Sequence, residues 1–214
     1  MNLPSPSTPL ARRGPIALFA AGSLLGFGLL VGGLWLYRTY VAPPSLRGID
    51  IQSTRTAYDF VLPSESKTVR LSDYRGKVVA VFFGYTFCPD VCPTTLAELD
   101  AALTLLGPDS ENVQVIYISV DTGRDTPLRA NQYAQGFNPA FVGLSGSEDE
   151  ITRVATAFGV VYEKVPAPDS AAGYLMQHSA SVFVIDRQGR LRTLWPFGMA
   201  RDDIVSDLKS LLRQ

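Results

Sequence analysis

The sequence predicts an α/β domain in which helices cover a mixed central sheet, preceded by one transmembrane helix. Three observations lead there. From residue 57 onward, short β-branched and aromatic runs alternate with stretches of helical periodicity, the pattern of strands and helices layered on one another. Residues 77–84 (KVVAVFFG) form an apolar run suited to a central buried strand, and they lead into a turn holding Cys88 and Cys92, the only cysteines. Residues 14–37 are 24 consecutive residues without a charge, rich in Leu, Gly, Ala and Phe.

Wound as a helix at about 1.5 Å per residue, that stretch spans roughly 36 Å, enough to cross a hydrocarbon core of about 30 Å. Arg12 and Arg13 precede it, and Trp35, Tyr37 and Tyr40 cluster at its far end as an interfacial belt. The positive-inside rule keeps residues 1–13 in the cytoplasm and carries the rest of this single-pass chain across an inner membrane into the periplasm. A cleaved signal peptide is the competing reading. Its apolar region is typically only about 7–15 residues, and no small-x-small cleavage site follows this one. Residues 38–56, which include the stiff Val41-Ala-Pro-Pro-Ser45 stretch, read as a linker. Residues 57–214 read as one folded domain.

Within that domain, residues 58–62 and 68–71 are expected as two short strands around a Ser/Glu/Lys turn, followed by the strand at 77–84. Residues 93–106 place Leu96, Leu99, Leu103 and Leu106 on one helix face. A buried strand at 113–120 comes next, then a helix at 126–135 with Pro127 in its first turn. A short strand at 141–144 precedes a helix at 147–158, which opens with Ser147 and Glu150 in capping-box spacing. Strands at 160–165, 181–185 and 190–194 follow, the last two joined by a turn at 186–189, and an amphipathic helix at 204–212 closes the chain. A central strand running directly into a cysteine turn at a helix start is the thioredoxin-like arrangement. That is the expected fold.

Composition removes several classes of function. Without Arg12 and Arg13 the chain carries 17 basic against 20 acidic residues, the wrong sign for binding nucleic acid by phosphate neutralisation. At 46% apolar residues it has ample core material and is no disordered segment. Two cysteines cannot build a disulfide scaffold, and one histidine, His178, rules out a histidine-rich metal cage.

Cys88 and Cys92 are four apart at a helix start, so both sulfurs can face one side. The positive end of the helix favours thiolate over thiol, and Pro93 fits the first turn. The pair is therefore either a redox couple or a two-sulfur chelate. A purely structural disulfide across so short a loop would restrain the unfolded chain little. His178 is the only imidazole that could complete a metal site, though spacing alone does not assign it. A Cys₂His set favours copper among first-row metals, since thiolates select Cu(I) and three-coordination suits it. Structural zinc would want a fourth protein ligand.

FGYTFCPDVCPTTL at 83–96, SVDTGRDTP at 119–127 and HSASVFVID at 178–186 together resemble the Sco/SenC family, copper-binding assembly factors of cytochrome c oxidase. The resemblance extends to the N-terminal anchor. It implies copper, as Cu(I), Cu(II) or both, held by Cys88, Cys92 and His178, with an outer-sphere or auxiliary role for Asp121. It implies a membrane-anchored copper chaperone, not an enzyme in its first reading, for the dinuclear copper site of the oxidase. The partners would be the copper-containing oxidase subunit, a copper donor and an upstream thiol reductant. The alternative is a thiol–disulfide reductase using Cys88 and Cys92 as a redox-active disulfide; a peroxiredoxin-like peroxidase, with Thr86 near the cysteines, is a distant third. Phe87 stands where many relatives have a histidine, and Thr122 where their loops have a proline. Asp121 is equally readable as a carboxylate capping a turn. A reporter fused after Gln214 should be active only outside the cytoplasm; cytoplasmic activity would reverse the topology.

Overall fold

The computed structural model describes residues 26–37, 45–51, 56–65, 67–168 and 172–214. The chain divides into two units between Ser45 and Leu46. In the first, residues 26–37 are helical; the other half of the expected membrane span, 14–25, lies outside the described residues. Among the described residues no helix is long and apolar enough to cross a membrane.

The second unit opens with β1 (Ile49–Asp50), then a small hairpin of β2 (Val61–Pro63) and β3 (Thr68–Arg70). The central strand β4 (Val78–Gly84) is buried at every position and leads into α1 (Val91–Leu106). Strand β5 (Val113–Ser119) is equally buried, and α2 (Pro127–Gln135) carries the chain to β6 (Val142–Leu144). Continuous apolar runs suit strands covered on both faces, and parallel neighbours need helical crossovers. Accordingly β4, β5 and β6 are parallel. Gly143 lets α2 lie close on β6, since a β-carbon there would come within 2.0 Å of the Ala130 carbonyl oxygen.

Helix α3 (Glu148–Phe158) has the expected capping box: the Ser147 hydroxyl accepts from the Glu150 N–H, and the Glu150 carboxylate accepts from the Ser147 N–H. After it come β7 (Tyr162–Ala167), β8 (Gly173–His178), β9 (Val182–Ile185), β10 (Leu191–Trp195) and α4 (Arg201–Leu212). The main sheet runs β1-β10-β9-β4-β5-β6, with β9, β10 and β1 antiparallel, so the expected mixed sheet is present.

Two strands were not expected from the sequence. β8 forms with β7 a hairpin outside the main sheet. Most of its residues are half-buried or exposed, which blurs the alternation that marks a strand in sequence. β1 lies inside the stretch read as linker, and the folded unit begins at Leu46 rather than at 57. Besides its ladder with β10, it is held by Asp207 on α4, a buried carboxylate that accepts from the N–H groups of Arg47 (2.6 Å) and Gly48 (3.0 Å) and from the Trp195 indole (3.0 Å). Asp207→Ala would strand three donors. It should lower stability by about 2–4 kcal/mol, read as a fall in the urea midpoint at unchanged slope.

Candidate metal centre

β4 ends at Gly84, and the chain turns through Tyr85 and Phe87 to Cys88 before α1 begins at Val91. Cys92 is thus the second residue of the helix and fully buried, whereas Cys88 sits half-buried in the preceding turn. The two do not share a helix face as expected; the turn brings the sulfurs to one side instead. The Cys92 N–H donates to Cys88 Sγ at 3.3 Å, the free donor of a helix start satisfied by sulfur. Gly84 makes room for the pair, because a β-carbon there would lie 2.9 Å from Cys92 Sγ and 2.9 Å from the Tyr117 ring.

His178 is the last residue of β8, and its Nε2 lies 3.4 Å from Cys92 Sγ. Its Nδ1 is 3.0 Å from the Ser179 carbonyl oxygen. A carbonyl can only accept, so Nδ1 is the donor in this contact and Nε2 is the nitrogen turned toward the sulfurs. The rings of Tyr85 and Phe82 meet the imidazole edge-on at 5.9 and 6.1 Å between centroids. Both sulfurs and a ring nitrogen lie within 4.8 Å of one another, and no other such trio of His, Cys, Asp or Glu occurs among the described residues. Two sulfurs and one imidazole at this spacing fit a three-coordinate soft metal.

The thiols are unequal. Cys88 is pulled down to about 3, first by the hydrogen bond from the Cys92 thiol and then, against the opposing effect of burial, by hydrogen bonds from His178 and from the N–H groups of Asp90 and Cys92 at the helix start. Cys92 moves up for the matching reason, because its proton is held by the Cys88 thiolate, and burial adds to this. Tyr85 is pushed up to about 12 by burial and by the charge on Cys88. The site therefore holds one thiolate at its open edge and one thiol beneath it. Beside Cys88 and His178 opens a cleft of about 420 Å³, with Val91, Val165, Leu175 and Met176 in its walls.

Asp121 is buried in the loop after β5, outside the trio. Its carboxylate accepts from Arg124 Nε and from the Tyr174 hydroxyl at 2.7 Å, and its carbonyl accepts from the N–H groups of Arg124 and Asp125. That is the turn-organising arrangement. The residue that sequence reasoning missed is Asp125, which accepts from the Thr86 N–H (2.8 Å), the Thr86 hydroxyl (2.6 Å) and the Ser119 hydroxyl. It ties the start of the cysteine turn to the end of β5. Its signals were its place in the SVDTGRDTP stretch at 119–127 and beside Thr126, the cap of α2.

Residues 50–213 match the model of the SCO1/SenC family. The chain belongs to the SCO1/SenC family. It is 31% identical over 184 residues to an SCO2-like protein of Rickettsia felis, covering 84% of this chain and 90% of the relative. Among solved structures, apo Sco1 of Thermus thermophilus is 43% identical, with a TM-score of 0.71 over 78% of this chain and 98% of that one. Bradyrhizobium japonicum ScoI, solved with copper bound, is 38% identical, with a TM-score of 0.66 over 74% and 100%. The fold is the mixed α/β, thioredoxin-like fold of these Sco structures. In this chain, alkylation of Cys88 in the reduced, metal-free protein should be nearly independent of pH between about pH 5 and pH 8, because the thiolate is already formed. Cys92→Ala removes the donated proton and should restore a rate that climbs with pH; a wild-type rate climbing tenfold per unit would refute the assignment.

Proposed function

We propose that this chain is a membrane-anchored copper chaperone that loads the dinuclear copper site of cytochrome c oxidase. Copper is its cargo, taken up by Cys88, Cys92 and His178. The observation that carries the reading is the convergence of two sulfurs and an imidazole nitrogen within 4.8 Å beside an open cleft. Membership of the SCO1/SenC family and the copper bound by the Bradyrhizobium relative support it.

The residues suit pick-up and release. The half-buried Cys88 thiolate offers charge for first contact with an incoming soft cation. The Nδ1 bond to Ser179 keeps the imidazole turned with Nε2 inward, so the third ligand needs no reorientation. The apolar cleft walls leave room for a segment of the receiving subunit. In this reading residues 1–13 stay in the cytoplasm, 14–37 cross the inner membrane, 38–45 link, and the folded unit from Leu46 works in the periplasm. Both thiols must stay reduced there, which calls for an upstream reductant besides the copper donor.

A second reading, thiol–disulfide reductase, is favoured by the unequal thiols. An accessible thiolate over a buried thiol is how an attacking and a resolving cysteine are arranged. The peroxidase reading loses support, since the Thr86 hydroxyl is committed to Asp125 rather than facing a peroxide beside Cys88.

The reduced full-length chain in detergent should bind one Cu(I), and His178→Ala should weaken binding by more than about 100-fold, beyond the usual effect of losing an outer partner. Cells with His178→Ala should lose oxidase assembly nearly as fully as cells with either cysteine replaced, and added copper should rescue them in part. Normal assembly with His178→Ala, alongside failure of Cys88→Ser or Cys92→Ser, would make the thiol chemistry primary.

A further inference from the structure

Among the described residues the β7–β8 hairpin pairs with no strand of the main sheet. Its place is therefore set by its short links to α3 and β9 and by side chains. Yet it supplies His178 and one wall of the cleft, while the cysteine turn supplies the other wall. At its base the hairpin is held to α3 through Tyr162, the cross-strand partner of His178, whose hydroxyl meets Thr152 (2.9 Å) and Glu148 (3.1 Å). At the end of β8 Met176 is buried and the rings of Phe82 and Tyr85 meet His178. The start of β8 is held by Arg124.

We propose that Arg124 is a positioning residue that clamps the histidine-bearing hairpin onto the cysteine turn and so sets the distance from His178 to the sulfurs. Its guanidinium carbon lies 3.5 Å from the centroid of the Tyr174 ring on β8 and 4.6 Å from that of Phe87, the residue before Cys88. Nη1 donates to the carbonyls of Ala172 (2.8 Å) and Tyr174 (3.1 Å), gripping the backbone where β8 begins. Nε donates to Asp121, whose other oxygen accepts from the Tyr174 hydroxyl, so the carboxylate both neutralises the cation and aims it. Lys164 of β7 approaches the same tyrosine ring at 3.7 Å. The path is continuous: Cys88, Phe87, Arg124, Tyr174, then along β8 to His178. Only a planar fork can stack between two rings and donate along its edge, so lysine would keep the charge and lose the clamp. Asp121 acts in this assembly by orienting Arg124.

The placing of the hairpin is independent of any metal, and its effect on metal rests on the copper reading, so two measurements are needed on the full-length reduced chain. In the metal-free protein, Arg124→Ala and Arg124→Lys should both speed amide exchange in β7 and β8 by at least about tenfold while α1 and β4 keep their protection. In competition with a chromophoric Cu(I) chelator, Arg124→Ala should weaken binding by about 10–100-fold, yet by less than about threefold when His178→Ala is already present, because it acts through that residue. Should Arg124→Ala fail to fold, Tyr174→Leu removes one stacking ring while leaving the Arg124–Asp121 pair, and the same two results are expected. Unchanged exchange in the hairpin, or an equal loss of affinity with and without His178, would overturn the proposal. A wild-type chain that binds no Cu(I) would overturn the copper reading, and the exchange result then decides the clamp by itself.

Discussion

A sulfur packed against the end of a strand is the contact on which the site depends. Cys92 Sγ occupies the space a side chain at residue 84 would need, so β4 must end in glycine and α1 must start where it does. Once that sulfur is buried, its proton cannot be given to water and is offered to Cys88, which becomes the charged partner. The accessible, ionised sulfur and the buried, protonated one are thus two results of one packing decision. Tyr117, behind the same sulfur, is fully buried and closes the floor.

Around this contact three chain segments from distant parts of the sequence are brought to a common edge. Parallel β4 and β5 deliver the cysteine turn and the loop carrying Asp121 and Asp125 side by side, as neighbouring parallel strands must. Asp125 closes the gap between them through Thr86 and Ser119. The hairpin brings the third segment from outside the sheet. Main-chain ladders thus lead up to the site on the sulfur side, and side chains hold it on the imidazole side.

That division also explains what could be read in advance. β4 and β5 were legible because buried parallel strands are written as unbroken apolar runs, and α3 because its cap is a local pattern of Ser147 and Glu150. The cysteines announced themselves by spacing at a strand-to-helix junction. β8 was not legible, since a hairpin only partly covered leaves little periodicity to read. β1 was missed because its partners, strand β10 and the Asp207 carboxylate that holds the residues before it, come far later in the chain. Arg124 and Asp125 belong to the same class: their meaning lies in rings and hydroxyls that only the tertiary structure brings near, so Asp121, the neighbour with the more familiar look, drew attention instead.

The inequality of the two thiols has a consequence for proton accounting. Cys88 is held in its ionised form, while Cys92 keeps its proton. In the copper reading proposed above, binding through both sulfurs would therefore displace the Cys92 proton, and release would take one back. A neighbour able to donate a proton to the buried sulfur would then also favour departure of the metal.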